Sequence, residues 1–431
     1  MIGGGIAGLS AAATLASQGI KVTLLDAGPQ LGGRARSVAI EFNSQVYQLD
    51  NGQHIMLGAY RETLNLLQKI GVNEKDAFLR LPLNLETRAG GQTVFKLAPP
   101  AWLPTPFNQL IGFLCCQGLT WHGRISTIKL MLRLKKSNYQ LITDEPLADY
   151  LQKNAQSSNV VALLWEPLCL AALNTPIHLA SSKVFLNVLR DTFHKKPDSD
   201  FLLPKLDLSQ LFSVPIAQYL KQHNATILHN KRVKNITRSA NGYNISTKEE
   251  VFEASHVIIA MTPVRLRNVI GDLPKLNFIA EQTDSYSYQP ITTIYLQYQP
   301  NATLSAPMLG LAGGLSQWVF DRGALCGQNG LMAVIISAEG KHQEFTQEAL
   351  ALKVAQELKA TFPQLDKPLW HKVIAEKRAT FSCNVNLPRP ANSTLYPNLF
   401  IAGDYTYADY PATIEGAVRS GVSAANLIIN T

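Results

Sequence analysis

Glycines at positions 3, 5 and 8 constrain this chain more than any other feature, because G-x-G-x-x-G spacing suits only a narrow set of backbone paths. Residues 9–18 continue as an alanine-rich helix that stops at Gly19, and residues 20–26, I-K-V-T-L-L-D, have the β-branched and aliphatic content of a strand. In this order Gly3 permits a tight turn, Gly5 lets a pyrophosphate approach the backbone, and Gly8 lets helix and strand pack closely. The amino end of the helix attracts the phosphates. Asp26, about twenty residues beyond the turn, is placed to accept hydrogen bonds from a ribose hydroxyl, and an acid there disfavours a 2′-phosphate. A glycine-rich turn without a ligand is the plain alternative, and the ordered helix, strand and acid weigh against it. Only Met1 and Ile2 precede the turn, where a buried first strand belongs. The expectation is that most of that strand lies outside this sequence and that the chain as given binds its nucleotide poorly. Equal nucleotide occupancy with and without about ten restored upstream residues would refute it.

At 431 residues the chain exceeds the size at which one core keeps growing, so two packed domains are expected. Hydrophobic residues make up 46% and charged residues 16%, which argues for an ordered, weakly charged protein suited to apolar partners. The net charge of +8 and pI near 9.1 suit an anionic nucleotide or lipid. The basic residues are scattered rather than gathered in a stripe, so no nucleic-acid partner is expected. Cys115, Cys116, Cys169, Cys326 and Cys383 form no C-x-x-C pair and no metal-like cluster, so no metal is expected, and the odd count suits a reducing compartment. No charged-then-apolar leader opens the chain, and no stretch reaches the ~18 apolar residues of a spanning helix. The expected location is cytoplasmic, with room for peripheral contact on the inner face of the cytoplasmic membrane.

Residues 31–37, L-G-G-R-A-R-S, resemble the L-G-G-R-x-x-S segment of the FAD-dependent amine oxidases and phytoene desaturases. The resemblance implies FAD rather than NAD. It places Gly32 and Gly33 at a close backbone approach and Arg34 by the pyrophosphate. Residues 398–404, N-L-F-I-A-G-D, and 411–421, P-A-T-I-E-G-A-V-R-S-G, resemble the second anchor of the same flavoproteins. By that likeness Gly403 and Asp404 meet the ribityl chain, while Thr413, Ile414 and Glu415 sit beside the isoalloxazine, where a helix amino end stabilises negative charge on the reduced ring. Between them, residues 226–233 and 236–246 read as a strand and a hairpin turning at Asn241-Gly242. The family places a valine such as Val233 against adenine through its backbone, although core packing is the commoner use of valine. The implied fold class is α/β, a Rossmann-like FAD-binding domain of amine-oxidase type with an α+β substrate domain. Residues 1–85, 205–275 and 385–431 form the discontinuous FAD domain, and 86–204 with 276–384 the substrate domain.

Residues 50–63, D-N-G-Q-H-I-M-L-G-A-Y-R-E-T, and 165–176, W-E-P-L-C-L-A-A-L-N-T-P, are similar to blocks of the squalene-associated FAD-dependent desaturases, the hydroxysqualene dehydroxylases of hopanoid biosynthesis. The likeness spans nearly the whole chain, with two departures: the short first strand, and Tyr405 where related sequences often carry tryptophan. It implies reductive removal of the hydroxyl from hydroxysqualene, with a long apolar isoprenoid as substrate and other squalene-pathway enzymes as possible partners. Acid assistance to an allylic carbon–oxygen bond needs a proton donor. His54 is the first candidate and Glu166 the second. The plain readings are that His54 bonds a backbone carbonyl and that Glu166 is an N-terminal helix carboxylate.

Residues 107–116 are expected at the entrance of an apolar tunnel. Residues 124–136 place Lys129, Arg133 and Lys136 on one helical face with Leu130 and Leu134 on another, the pattern of an interfacial helix. Three rival readings remain: a phytoene-type desaturase, since flavin serves either hydride direction; an amine oxidase; and a prenyl-carrier protein of the same architecture without chemistry.

Overall fold

The computed structural model describes residues 1–430. A parallel sheet runs in the spatial order Thr226–Leu228, Thr23–Leu25, Ile2, Val257–Ile259, Leu399–Ile401. Ile2 stands where the first strand belongs and bridges to Leu25 on one side and Ile259 on the other. The stub is hydrogen-bonded on both edges: Ile2 and Gly3 amides donate to Ile258 and Leu25 at 3.0 and 2.8 Å, and Leu25 and Ala260 amides donate to Met1 and Ile2 at 2.9 and 2.7 Å. Ile2 thereby joins the two halves of the sheet just ahead of the glycine turn.

Helix Ile6–Ala16, buried at every residue, packs between this sheet and helix Ile414–Ile429. The crossing is close because position 421 is glycine: a Cβ there would lie 2.1 Å from Ser10 Oγ and 2.2 Å from Ala7 O. The hairpin Asn235–Ser239/Gly242–Ser246 closes on the pair Ser239–Gly242, so its turn residues are Ala240 and Asn241, one position earlier than expected. Gly242 itself has φ +154°, and a Cβ would meet Ala254 O at 2.2 Å.

The second sheet has seven strands in the order Trp370–Phe381, Tyr288–Gln297, Leu331–Ser337, Trp318–Asp321, Met308–Leu311, Leu85–Ala89, Gln92–Leu97. All neighbours are antiparallel except Met308–Leu311 with Leu85–Ala89. Helix Gln347–Thr361 covers one face, its Leu350, Val354 and Leu358 meeting Ile294, Leu296, Val334 and Ile336. The other face, through Tyr295, Phe320 and Ile335, joins a core with Phe113, Leu130, Leu134, Trp165 and Phe185 from the helices between residues 107 and 192. Strand Phe201–Pro204 pairs with Met56–Leu57 and Phe78–Leu81, so the pairing crosses the boundary expected at residue 204.

The block at residues 165–176 has a structural task. Buried Asn174, in the left-handed conformation (φ 46°), donates to Thr380 Oγ1 at 2.9 Å and accepts from the Ala338 amide at 2.7 Å; Thr175 Oγ1 accepts from the Cys383 amide at 2.9 Å. These bonds clamp the end of the helical layer onto the long strands. Among the described residues no helix is long and apolar enough to cross a membrane.

Candidate functional site

The parallel sheet opens at its carboxyl edge onto the glycine turn. Gly3 (φ +102°) and Gly8 are demanded by packing, since a Cβ would lie 2.3 Å from Ala260 O and 2.0 Å from Gly3 O respectively. Gly5 is different: its φ is −75° and a Cβ would meet nothing within 4 Å. The first intrahelical bond is Leu9 N to Gly5 O at 2.9 Å, so the amides of Ile6, Ala7 and Gly8 are left without a helical acceptor.

Asp26 ends its strand beside this turn. Its Oδ2 accepts from the Gly4 amide at 2.6 Å and its Oδ1 from the Gly28 amide at 2.7 Å, which leaves each oxygen a further lone pair for a ribose hydroxyl. The loop carrying Val233 is tied to the same strand end, with the Lys231 amide donating to Asp26 O at 2.8 Å. Val233 is only 8% exposed, yet its N–H and C=O take no part in the backbone bonding of this loop.

The remote segments meet at Arg34. Gly32 and Gly33 adopt φ +102° and +60°, and a Cβ on Gly33 would lie 3.2 Å from Gly5 Cα. That path turns the Arg34 guanidinium onto Asp404 at 2.7 Å and onto Ala379 O at 2.6 Å. The Asp404 carboxylate holds the Arg34 pKa above its ordinary value. The Gly403 amide donates to Ser420 Oγ at 2.9 Å, and Thr413 caps helix Ile414–Ile429 by accepting from the Gly416 amide at 3.1 Å. Ile414 is buried on that first turn.

Glu415 departs from expectation. Its side chain is fully buried and its carboxylate accepts from the Thr63 amide (2.9 Å), Thr63 Oγ1 (2.7 Å), the Glu62 amide (3.2 Å) and Arg419 Nε (2.7 Å). It caps helix Arg61–Lys69, so only its backbone is left to a cofactor. Glu166 is corrected more fully. It lies in the middle of a continuous helical run, residues 158–173, loosened by a π turn at Val161–Trp165, and its side chain is exposed with no hydrogen-bond or ion-pair partner. It is neither an N-terminal carboxylate nor a sheltered acid. Trp165 beside it is the buried member of the pair, donating to Gln156 Oε1 at 2.9 Å.

His54 Nδ1 lies 2.6 Å from Gly52 O. A carbonyl oxygen only accepts, so Nδ1 carries the proton and Nε2 has the free lone pair. Burial lowers the imidazole pKa below its ordinary value and the positive charge of Arg34 adds to this, while Asp50 pulls the other way. Beneath His54 is a network that sequence reasoning missed. Arg322 Nη1 bonds Asp50 Oδ2 at 3.3 Å and Gln53 Oε1 at 2.7 Å, Arg322 Nε bonds Gln328 Oε1 at 2.6 Å, and Tyr295 Oη donates to Asp50 O at 2.9 Å. The Asp50 and Arg322 side chains are each 4% exposed. No local pattern announced Arg322; its only signal was a pair of charged residues, Asp321 and Arg322, directly after the apolar run Trp318–Phe320.

The sequence model described as flavin containing amine oxidoreductase matches residues 6–429. The chain belongs to that family. It is an FAD-dependent oxidoreductase. The hydroxysqualene dehydroxylase of Zymomonas mobilis is 27% identical over 455 residues, across 100% of this chain and 98% of that protein. The zeta-carotene desaturase of Synechocystis is 22% identical over 481 residues, across 100% of this chain and 96% of that one. Cyclohexylamine oxidase from Brevibacterium oxydans shares the fold, with TM-score 0.70 at 16% identity over 100% of this chain and 98% of that one.

The residues of this amine-oxidase-type chain fit FAD on observations of its own structure. Gly5 has no packing reason to lack a side chain, so the open space beside it is the cradle a Cβ would fill. The unpaired amides of Ile6, Ala7 and Gly8 suit a pyrophosphate, and the backbone of Val233, free though buried, suits the edge of an adenine ring.

Proposed function

We propose that this flavoenzyme reductively dehydroxylates hydroxysqualene, a long isoprenoid allylic alcohol, to squalene. The observation that carries this reading is the end-to-end likeness to hydroxysqualene dehydroxylase, which covers 100% of the chain. In the balanced reaction the carbon–oxygen bond breaks, the oxygen leaves with its electron pair and a proton as water, and a carbon–hydrogen bond forms. FAD, when reduced, supplies the hydride.

The chain's own residues handle the rest. His54 is assigned the proton: its Nδ1–H is held by Gly52 O, so Nε2 is the nitrogen left to take up a proton and pass it to the leaving hydroxyl. Burial keeps the imidazole mostly neutral near pH 7, so proton delivery strengthens as the pH falls. Arg322, through Gln53 and Asp50, holds the loop on which His54 sits. The weakly charged, apolar composition suits a C30 hydrocarbon.

The likeness to a zeta-carotene desaturase over the whole chain supports a second reading, removal of hydride from a polyene. Anaerobic incubation separates the two. Reduced holoenzyme with hydroxysqualene should yield squalene and oxidised flavin in equal amounts. No squalene, together with flavin reduction by a carotenoid precursor, would replace the first reading with the second.

A further inference from the structure

Between Glu86 and Asp144 the chain contains no aspartate or glutamate, while Arg88, Lys96, Arg124, Lys129, Arg133, Lys135 and Lys136 all fall in that interval. Arg88 and Lys96 are paired with Glu86. Lys129, Lys135 and Lys136 have no side-chain hydrogen-bond or ion-pair partner and are exposed. The same interval holds the most exposed large apolar side chains of the molecule: Ile142 at 106% of its reference area, Trp102 at 80% and Trp121 at 64%, with Phe107 at 59%, Leu132 at 58% and Leu110 at 38%.

These side chains are arranged, not scattered. Helix Phe107–Cys115 contains no charged residue, buries Asn108, Gly112 and Phe113, and leaves Phe107 and Leu110 in solvent, one turn apart. Gly112 lets the buried side press against Pro99, where a Cβ would lie 2.9 Å from the proline ring. Trp102, ahead of this helix, shares an open concavity of about 480 Å³ with His194, Lys195 and Lys196. Trp121, after it, begins helix Trp121–Lys136, whose exposed side bears Lys129, Leu132, Arg133 and Lys136. Arg124 links the two helices, donating to Leu114 O at 2.8 Å beneath the Trp121 ring.

The expected interfacial helix is corrected by this arrangement: Leu130 and Leu134 are 1% and 2% exposed, so its apolar face belongs to the core. What remains outward from residues 87–143 is a set of aromatic tips among cations, with no acidic residue in that interval; Arg133 donates to Asn154 Oδ1 at 3.5 Å and Lys196 to Ala101 O, while Lys129 and Lys136 are unpaired. Aromatic side chains with an apolar body sit at the headgroup level of a bilayer, and each nearby cation gains about 1 kcal/mol on an anionic leaflet. We propose that Trp102, Phe107, Leu110 and Trp121, with Lys129, Arg133, Lys136, Lys195 and Lys196, form a surface that docks on an anionic phospholipid bilayer. The occupant is the lipid surface and not a spanning insertion, because helix Phe107–Cys115 has only nine residues. The proposal does not depend on the identity of the substrate, since docking is read without turnover.

The test is sedimentation of FAD-loaded protein with vesicles of phosphatidylcholine alone and of phosphatidylcholine mixed with phosphatidylglycerol. Wild type should bind the anionic vesicles and lose them at high salt. Lys129→Glu, Arg133→Glu and Lys136→Glu together should weaken binding by at least ~100-fold, from roughly 1 kcal/mol per charge. Trp102→Ser, Phe107→Ser and Trp121→Ser together should abolish it, with flavin absorbance unchanged as the check on folding. Anionic vesicles that fail to bind wild type, or bind both triple variants equally well, would overturn the proposal. So would an aromatic variant that only converts a dimer to a monomer.

Discussion

Arg322→Leu isolates a carboxylate that the structure leaves almost no other way to stabilise. The Asp50 side chain is 4% exposed and, once Arg322 is gone, retains only the Leu208 amide at 2.8 Å as a donor. Removing one partner of a buried ion pair costs about 3–5 kcal/mol, most of it the uncompensated charge that remains. Asp50→Asn in the same chain removes that charge while its side-chain carbonyl still accepts from Leu208, so the double variant should recover most of the loss. The expected coupling between the two changes is about 2 kcal/mol or more.

The defect should also depend on pH. Burial already raises the Asp50 carboxyl, with Arg322 pulling it down, so deleting Arg322 raises it further. A folded-state carboxyl raised above its unfolded value takes up a proton first in the native state, so stability is greatest at low pH and falls as pH rises through the folded value. Arg322→Leu should therefore be least damaging in acid and most damaging near neutrality. Urea unfolding at fixed FAD concentration and several pH values reads this directly. A loss under about 1 kcal/mol at pH 7, or no rescue by Asp50→Asn, would show that the pair is not the buried charge couple described.

The glycine turn gives a sharper separation of fold from ligand: Gly8→Ala should destabilise the apoprotein through its 2.0 Å clash, whereas Gly5→Ala should leave apoprotein melting unchanged and weaken FAD binding by roughly tenfold or more, read by flavin fluorescence titration. Tyr405 has a fully buried hydroxyl without a partner, and burial raises its pKa well above the ordinary value, so it stays protonated. Tyr405→Phe should be neutral or stabilising by about 1–2 kcal/mol with flavin retained, and a loss of similar size in urea would point to a hidden hydrogen bond. His54→Ala should lower single-turnover dehydroxylation by ~100-fold with FAD bound, while Glu166→Gln should stay within about twofold of wild type. Wild-type turnover should rise as pH falls through the lowered His54 value, while the fold weakens over the same window because the unfolded chain binds that proton first. A turnover that is flat in pH would remove the histidine from proton delivery.

What could be read from residue order is what the chain makes locally. The spacing of Gly3, Gly5 and Gly8, the strand into Asp26, and the cap at Thr413 each involve neighbours within a few turns, so their geometry follows from backbone preference. The Asp50–Arg322 pair spans 272 positions, and Glu415 reaches Thr63 across 352. No periodicity encodes such contacts, which exist only once the two sheets have met. The same limit explains the misread acid. Trp165 and Glu166 are adjacent in sequence but about 100° apart around a helix, so a buried aromatic neighbour says nothing about where the carboxylate points. It also explains the apolar face of helix Trp121–Lys136, which the fold turns to the core. An amphipathic repeat such as Leu130 and Leu134 opposite Lys129 and Arg133 reveals which face is apolar and is silent on what covers it, core or lipid. Helix Phe107–Cys115 is the counter-case: Phe107 and Leu110 stand in solvent while Asn108 is buried, so apolar character alone does not say which of its residues the core takes.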